Sequence, residues 1–171
     1  SFAVNLTVNG ENRETEDLVF PIQPRRTKIT LSFETPARFI RRPHDLTAVK
    51  AGSLLFSLPI TYEKKMLEYE RNGVERKYPY CDYELIPCSA WNYGFAASTL
   101  EMTELPVDGV PFSSEHPRLS IRATLAPVEW DWEDGFDTVP AVRPAKFVPT
   151  GPEVELELIP YGCAKLRMTE L

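Results

Sequence analysis

Proline sets the terms on which this chain can fold. It occurs 16 times in 171 residues, from Pro21 to Pro160, which is roughly twice the usual ~5%. Each proline lacks a backbone donor and clashes with the preceding turn of a helix. Long helices are therefore excluded, and short strands between turns remain. The rest of the composition is that of a folded protein, since 43% hydrophobic and 11% aromatic residues exclude intrinsic disorder. A chain of this length buries a core without disulfide staples. Its 19 Lys+Arg against 25 Asp+Glu give a net charge of −6. With no basic block, nucleic acid and anionic membrane are disfavoured as partners. No apolar run is long enough for a transmembrane helix or a signal peptide. There is no composition break, so residues 1–171 read as a single domain. The chain begins at Ser1 rather than Met, which predicts a module excised from a longer polypeptide.

Hydrophobic periodicity fills in the strands. Phe2, Val4, Leu6 and Val8 alternate with small or polar residues up to the turn pair Asn9-Gly10. Leu18 to Ile22 is a second short apolar run. Ile29, Leu31 and Phe33 alternate with Lys28, Thr30, Ser32 and Glu34, as in a half-buried strand. The unbroken run Leu54-Leu55-Phe56-Ser57-Leu58 predicts a central strand buried on both faces. Tyr62 to Glu70 is charged and free of Gly and Pro, which predicts about two helical turns ended by Asn72-Gly73. Leu119, Ile121 and Ala123 alternate again, and residues 133–152 read as a long acidic, then Pro-rich, surface loop. Val154, Leu156 and Leu158 alternate with glutamates. The turn Pro160-Tyr161-Gly162 then leads into Lys165 to Met168, predicting a terminal hairpin. Together these segments predict an all-β protein, a two-sheet antiparallel β-sandwich of jelly-roll or Ig-like form with one short helical excursion.

The residues that could carry chemistry do not assemble into a catalytic pattern. Cys81, Cys88 and Cys163 are odd in number and lack C-x-x-C spacing, so they read as buried, inert thiols rather than a metal or redox site. His44 and His116 sit in separate loop-like stretches with nothing to orient them as a base. The segment Glu129 to Asp137 clusters carboxylates at Asp131, Glu133, Asp134 and Asp137. Its glycine is misplaced for an EF-hand loop and the closing Glu is missing, so a solvated loop is favoured over a calcium or paired-carboxylate site. There is no Gly-rich phosphate loop. The sequon Asn5-Leu6-Thr7 matters only in a secretory-pathway host. Neither a catalytic residue, a metal site nor a cofactor is therefore expected. The aromatics are more suggestive. Trp130 and Trp132 lie two apart, as do Trp91 and Tyr93, so each pair shares a face if it lies in a strand. Stacked on a sugar ring beside Asp131, these five residues would form a carbohydrate platform; packed inward, they are core.

Three stretches resemble a known family. Lys50-Ala51-Gly52-Ser53-Leu54-Leu55-Phe56-Ser57-Leu58 is similar to a segment that follows the catalytic barrel in β-L-arabinofuranosidase-like glycoside hydrolases of family 127. Ser53 departs from the proline usual there, at little cost if it is a strand residue. Pro117 opens a strand ending in Val128-Glu129-Trp130, similar to the family's strand before a Pro-rich link. Leu158 to Met168, with Pro160-Tyr161-Gly162-Cys163, resembles its terminal hairpin. The resemblance spans roughly residues 27–170 and is most specific in that last stretch. It implies a helical (α/α)6 barrel that carries catalysis, followed by β-sandwich domains. The family's catalytic glutamate, cysteine nucleophile and zinc-binding thiols belong to the barrel, and no stretch here matches them. The expectation is a non-catalytic accessory sandwich whose partner is the catalytic barrel of the same chain. A free-standing carbohydrate-binding module that binds an oligosaccharide is the alternative, and a ligand-free scaffolding domain the third reading. An apolar patch on an otherwise polar face would favour the first, and exposed coplanar aromatics the second.

Overall fold

The computed structural model describes residues 4–14, 19, 22, 24, 26–106, 109–110, 112–135, 141–142 and 147–171. The chain divides into two compact units, Ser1–Pro36 and Ala37–Leu171. Among the described residues there is no α-helix, and none long and apolar enough to cross a membrane.

The first unit is a three-stranded antiparallel sheet of β1 (Val4–Val8), β2 (Glu11–Arg13) and β3 (Ile29–Phe33), in the order β2-β1-β3. Asn9 and Gly10 close the β1–β2 hairpin with φ of 53° and 89°, the left-handed pair that a tight two-residue turn demands. The β1–β3 register sets Val4, Leu6 and Val8 opposite Phe33, Leu31 and Ile29. Leu6 and Val8 are buried, but Ile29, Leu31 and Phe33 are 54%, 56% and 59% exposed. The third strand is therefore an open edge with an apolar face, not the half-buried strand that its alternation predicts. Phe2 and most of the Leu18–Ile22 run lie outside the described residues.

The second unit holds the remaining strands: β4 (Ala37–Arg41), β5 (Thr47–Ala51), β6 (Leu54–Pro59), β7 (Tyr62–Leu67), β8 (Tyr69–Arg71), β9 (Val74–Arg76), β10 (Asp82–Pro87), β11 (Tyr93–Glu104), β12 (Leu119–Pro127), β13 (Val154–Pro160) and β14 (Arg167–Met168). Its main antiparallel sheet runs β11-β12-β13-β6-β5-β4, with β14 also paired to β6. The sheet rolls until its edge strands meet, where Phe39 of β4 and Phe95 of β11 pack edge to face at 4.9 Å. The all-β, antiparallel expectation holds. The strands pair as one nearly closed sheet with small ribbons beside it, rather than as two equal sheets face to face. Inside lie Val49, Phe56, Leu58, Ile121, Leu125, Leu158 and Leu171. As its unbroken apolar run predicts, β6 is central and covered on both faces: Phe56, Ser57 and Leu58 in succession are 0%, 1% and 5% exposed.

Three local expectations are corrected. Residues 61–80 form no helix: β7 pairs with β10, and β8 pairs with β9 across Asn72-Gly73, at φ of 53° and 74°. The Glu and Lys residues that favour a helix in isolation are equally at home on a two-stranded ribbon with solvent on its faces, and the hairpin turn decides between them. Nor do the last strands form a hairpin with each other, because β14 pairs with β6. A 3-10 turn at Tyr161–Cys163 redirects the chain, anchored as Cys163 and Ala164 pack with Ile159. Ser53 lies in the β5–β6 turn beside Gly52 (φ 57°) rather than in a strand.

Leu171 tests this packing. Its side chain is 2% exposed in the core, and its backbone exchanges hydrogen bonds with Thr47 at 2.9 and 3.3 Å. Leu171→Ala should cost about 2–5 kcal/mol in urea unfolding. A loss below about 1 kcal/mol would mean that the residue is not packed there.

Candidate functional site

The three tryptophans converge. Trp91 precedes β11, while Trp130 and Trp132 follow β12. The strand ends are tied by Asn92, whose carbonyl accepts the Val128 N–H at 2.9 Å and whose Nδ2 donates to the Val128 carbonyl at 3.0 Å. This lays Trp91 against Trp130 at 5.3 Å and 66°, and against Trp132 at 4.5 Å and 40°. Such edge-on and tilted contacts are the arrangements that aromatic quadrupoles prefer. Trp91 is buried, and the other two are half-buried.

The acidic, Pro-rich segment that follows is held against this cluster. Trp130 Nε1 donates to the Ala141 carbonyl at 2.7 Å, and Ala141 N–H returns to the Asp131 carbonyl at 2.8 Å. Further on, Val128 bridges to Pro149, and Thr150 N–H donates to the Pro127 carbonyl at 2.8 Å. Gly151 packs so closely that a Cβ there would fall 2.8 Å from Pro127 Cγ. Residues 136–140 and 143–146 of this loop, Asp137 included, lie outside the described residues.

The five residues of the sequence-derived platform separate into three environments. Trp91, Trp130 and Trp132 meet. Tyr93 packs instead against the core of the rolled sheet. Asp131 is exposed, and its Oδ1 accepts the Trp132 N–H at 2.8 Å. Glu133 and Asp134 are exposed too, as are His44 and His116 on their separate loops. Among the described residues no group of three or more His, Cys, Asp or Glu is arranged to hold a metal ion. A cavity of about 220 Å³ was not legible in the sequence. Trp91 and Trp132 wall it with Ile60, Leu85, Pro87 and Met168, and Arg167 lines its side. Forming it depends on β14 docking beside β6, which alternation along the last strands does not reveal.

All three cysteines are free. Cys81 and Cys163 are buried as expected, whereas Cys88 is exposed, with Sγ donating to the Ile86 carbonyl at 3.4 Å. Burial pushes the Cys163 thiol above its ordinary range. On the neighbouring ribbons, Tyr69 donates to Asp82 at 2.8 Å, which raises its phenol. Tyr83 is pushed up to about 12, first by hydrogen bonding with Cys81 and then by desolvation. These shifts stabilise neutral side chains. None of them creates a nucleophile or base poised near neutral pH.

The chain is thus all-β, with its three tryptophans gathered at one rim of the rolled sheet. No protein-family model matches the chain, and no curated protein matches it in sequence. Among solved structures it is similar to Ara127N-Se, a GH127 β-L-arabinofuranosidase from Geobacillus stearothermophilus T6, at a TM-score of 0.52 and 17% identity. The match covers 99% of this chain and 24% of that one. The chain thus has the fold of a domain-sized portion of such an enzyme, about a quarter of its length, from the family that its sequence resembles.

Two outcomes follow from the geometry. A thiol reagent should label Cys88 promptly and Cys163 slowly, with Cys163 labelling rising only as pH climbs past the usual thiol range; rapid labelling of Cys163 near neutral pH would contradict its burial. Trp130→Ala removes a half-buried indole and its bond to Ala141, and should cost about 2–4 kcal/mol. Asp131→Asn should change the melting temperature little. Equal effects would mean that the indole is not a packing element.

Proposed function

We propose that residues 1–171 serve as one non-catalytic accessory module of a glycoside hydrolase, packing on and supporting a helical-barrel catalytic domain of the same polypeptide. The observation that carries this reading is the apolar face of the edge strand β3. Ile29, Leu31 and Phe33 lie open to solvent there, with Val4 opposite Phe33 and 40% exposed. Exposed apolar faces on edge strands invite association, and monomeric proteins normally blunt them. A partner that covers this strand removes the liability. The likeness to a quarter of a family 127 enzyme supports a partner of that kind. The competing reading, a carbohydrate-binding module, has narrower support. Of its five residues only Trp132 is both half-exposed and on a cavity wall, because Trp91 is buried, Trp130 is bonded to the loop, and Tyr93 faces the core.

Separate assays distinguish the readings. The isolated chain should not hydrolyse aryl β-L-arabinofuranosides with or without zinc; turnover that survives purification and disappears on one substitution in this chain would sink the proposal. Leu31→Lys should leave the isolated domain's melting temperature nearly unchanged, because the side chain is already exposed. In the longer, barrel-containing polypeptide the same change should lower soluble yield and thermal stability. If both proteins tolerate it equally, β3 does not face a partner. Saturable binding of arabinose- or galactose-containing oligosaccharides, lost in a folded Trp132→Ala variant, would favour the binding module instead.

A further inference from the structure

We propose that the cavity between the tryptophan pair and β14 binds a small planar apolar carboxylate, with the Arg167 guanidinium as its counter-ion. Three observations point to a ligand of this chemistry. The first is shape and lining. Indoles on one side, with Ile60, Leu85, Pro87 and Met168 around them, enclose about 220 Å³. That is smaller than the roughly 300–1,000 Å³ of drug-sized sites, so the occupant is a single planar ring with its carboxylate. The second is the scarcity of hydrogen-bonding groups. A neutral sugar brings several hydroxyls that would each lose water without a partner here, and among the described residues Arg167 is the one charged residue on the wall. The third is the state of that arginine. Its side-chain hydrogen bonds run from Nη1 to the carbonyls of Ala164 and Lys165, and its plane covers the Tyr161 ring at 3.5 Å. These contacts fix the guanidinium in place. Nε is buried without an acceptor, and Arg167 makes no ion pair among the described residues.

A planar cation held by backbone carbonyls and an aromatic face is a preorganised receptor for a carboxylate. Half-buried beside an apolar chamber, Arg167 has no ion-pair partner among the described residues. An acid whose ring enters between Trp132 and Leu85 supplies both the apolar contact and the missing anion. The site is independent of the accessory role proposed above and stands or falls without it.

The test uses phenylacetate and its uncharged isostere phenylacetamide, followed through the indole N–H resonances of the intact chain. Phenylacetate should shift the Trp91 and Trp132 signals saturably, with a Kd below about 1 mM. Phenylacetamide should bind about tenfold more weakly, as expected when a charge-assisted bond is lost. Leu85→Trp, which fills the cavity, should abolish both responses. Arg167→Gln should bring the acid down to the level of the amide. Should Arg167→Gln fail to fold, the acid–amide pair and Leu85→Trp still decide the matter. No saturable shift by about 10 mM, equal affinity for acid and amide, or a stronger response to free arabinose than to phenylacetate would each overturn the proposal.

Discussion

Continuous burial of β6 is the constraint on which the second unit depends. Phe56, Ser57 and Leu58 point alternately to opposite faces of one strand, and all are buried. A strand of that kind needs cover on both sides, which an open sheet with one solvated face cannot give. Rolling the sheet until β4 and β11 meet at Phe39 and Phe95 encloses one face. Among the described residues the connections hold two 3-10 turns and no α-helix, in keeping with the many prolines. Burying a phenylalanine of this kind is worth several kcal/mol, judged from the roughly 3–5 kcal/mol lost on truncation to alanine. The exposed ion pairs of the sheet surface, such as Arg122 with Glu101 and Glu157 at 3.7 Å, contribute far less.

The tryptophan cluster is the second consequence of chain path. β11 begins and β12 ends at the same rim, because their register pairs Tyr93 with Pro127. Trp91 therefore meets Trp130 and Trp132, which anchor the loop that returns to β13. With Trp91 buried and Trp130 bonded to Ala141, two of the three indoles serve packing. Trp132 is left between the cluster and the cavity.

How far the sequence was legible follows from what each signal measures. Alternation marked the inward face of β12 and β13 at Ile121, Ala123 and Leu158, but Ser120, Ile159 and Pro160, off that pattern, are buried as well. Alternation in β3 gave a strand but not its environment, since period-2 patterning is the same whether the apolar face meets core, a partner or water. The stretch from Tyr62 to Glu70 forms strands rather than a helix, and Asn72-Gly73 carries the same hairpin signal as Asn9-Gly10. Pairing of β14 with β6 joins positions more than a hundred residues apart, beyond the reach of local pattern. That same pairing brings Arg167 beside the tryptophans, so the cavity was hidden with it. The family resemblance anticipated the likeness to part of a family 127 enzyme, which neither periodicity nor composition supplies.

The central claim is that β3 carries its apolar face for a partner domain. Amide hydrogen exchange, compared between the isolated chain and the same chain joined to the proposed catalytic barrel, tests it most directly. The amides of Ile29–Phe33 that are not bonded to β1 should exchange quickly in the isolated chain and gain strong protection when the barrel is present, while β6 and β12 stay protected in both. Exchange in β3 that is unchanged between the two proteins would contradict the account.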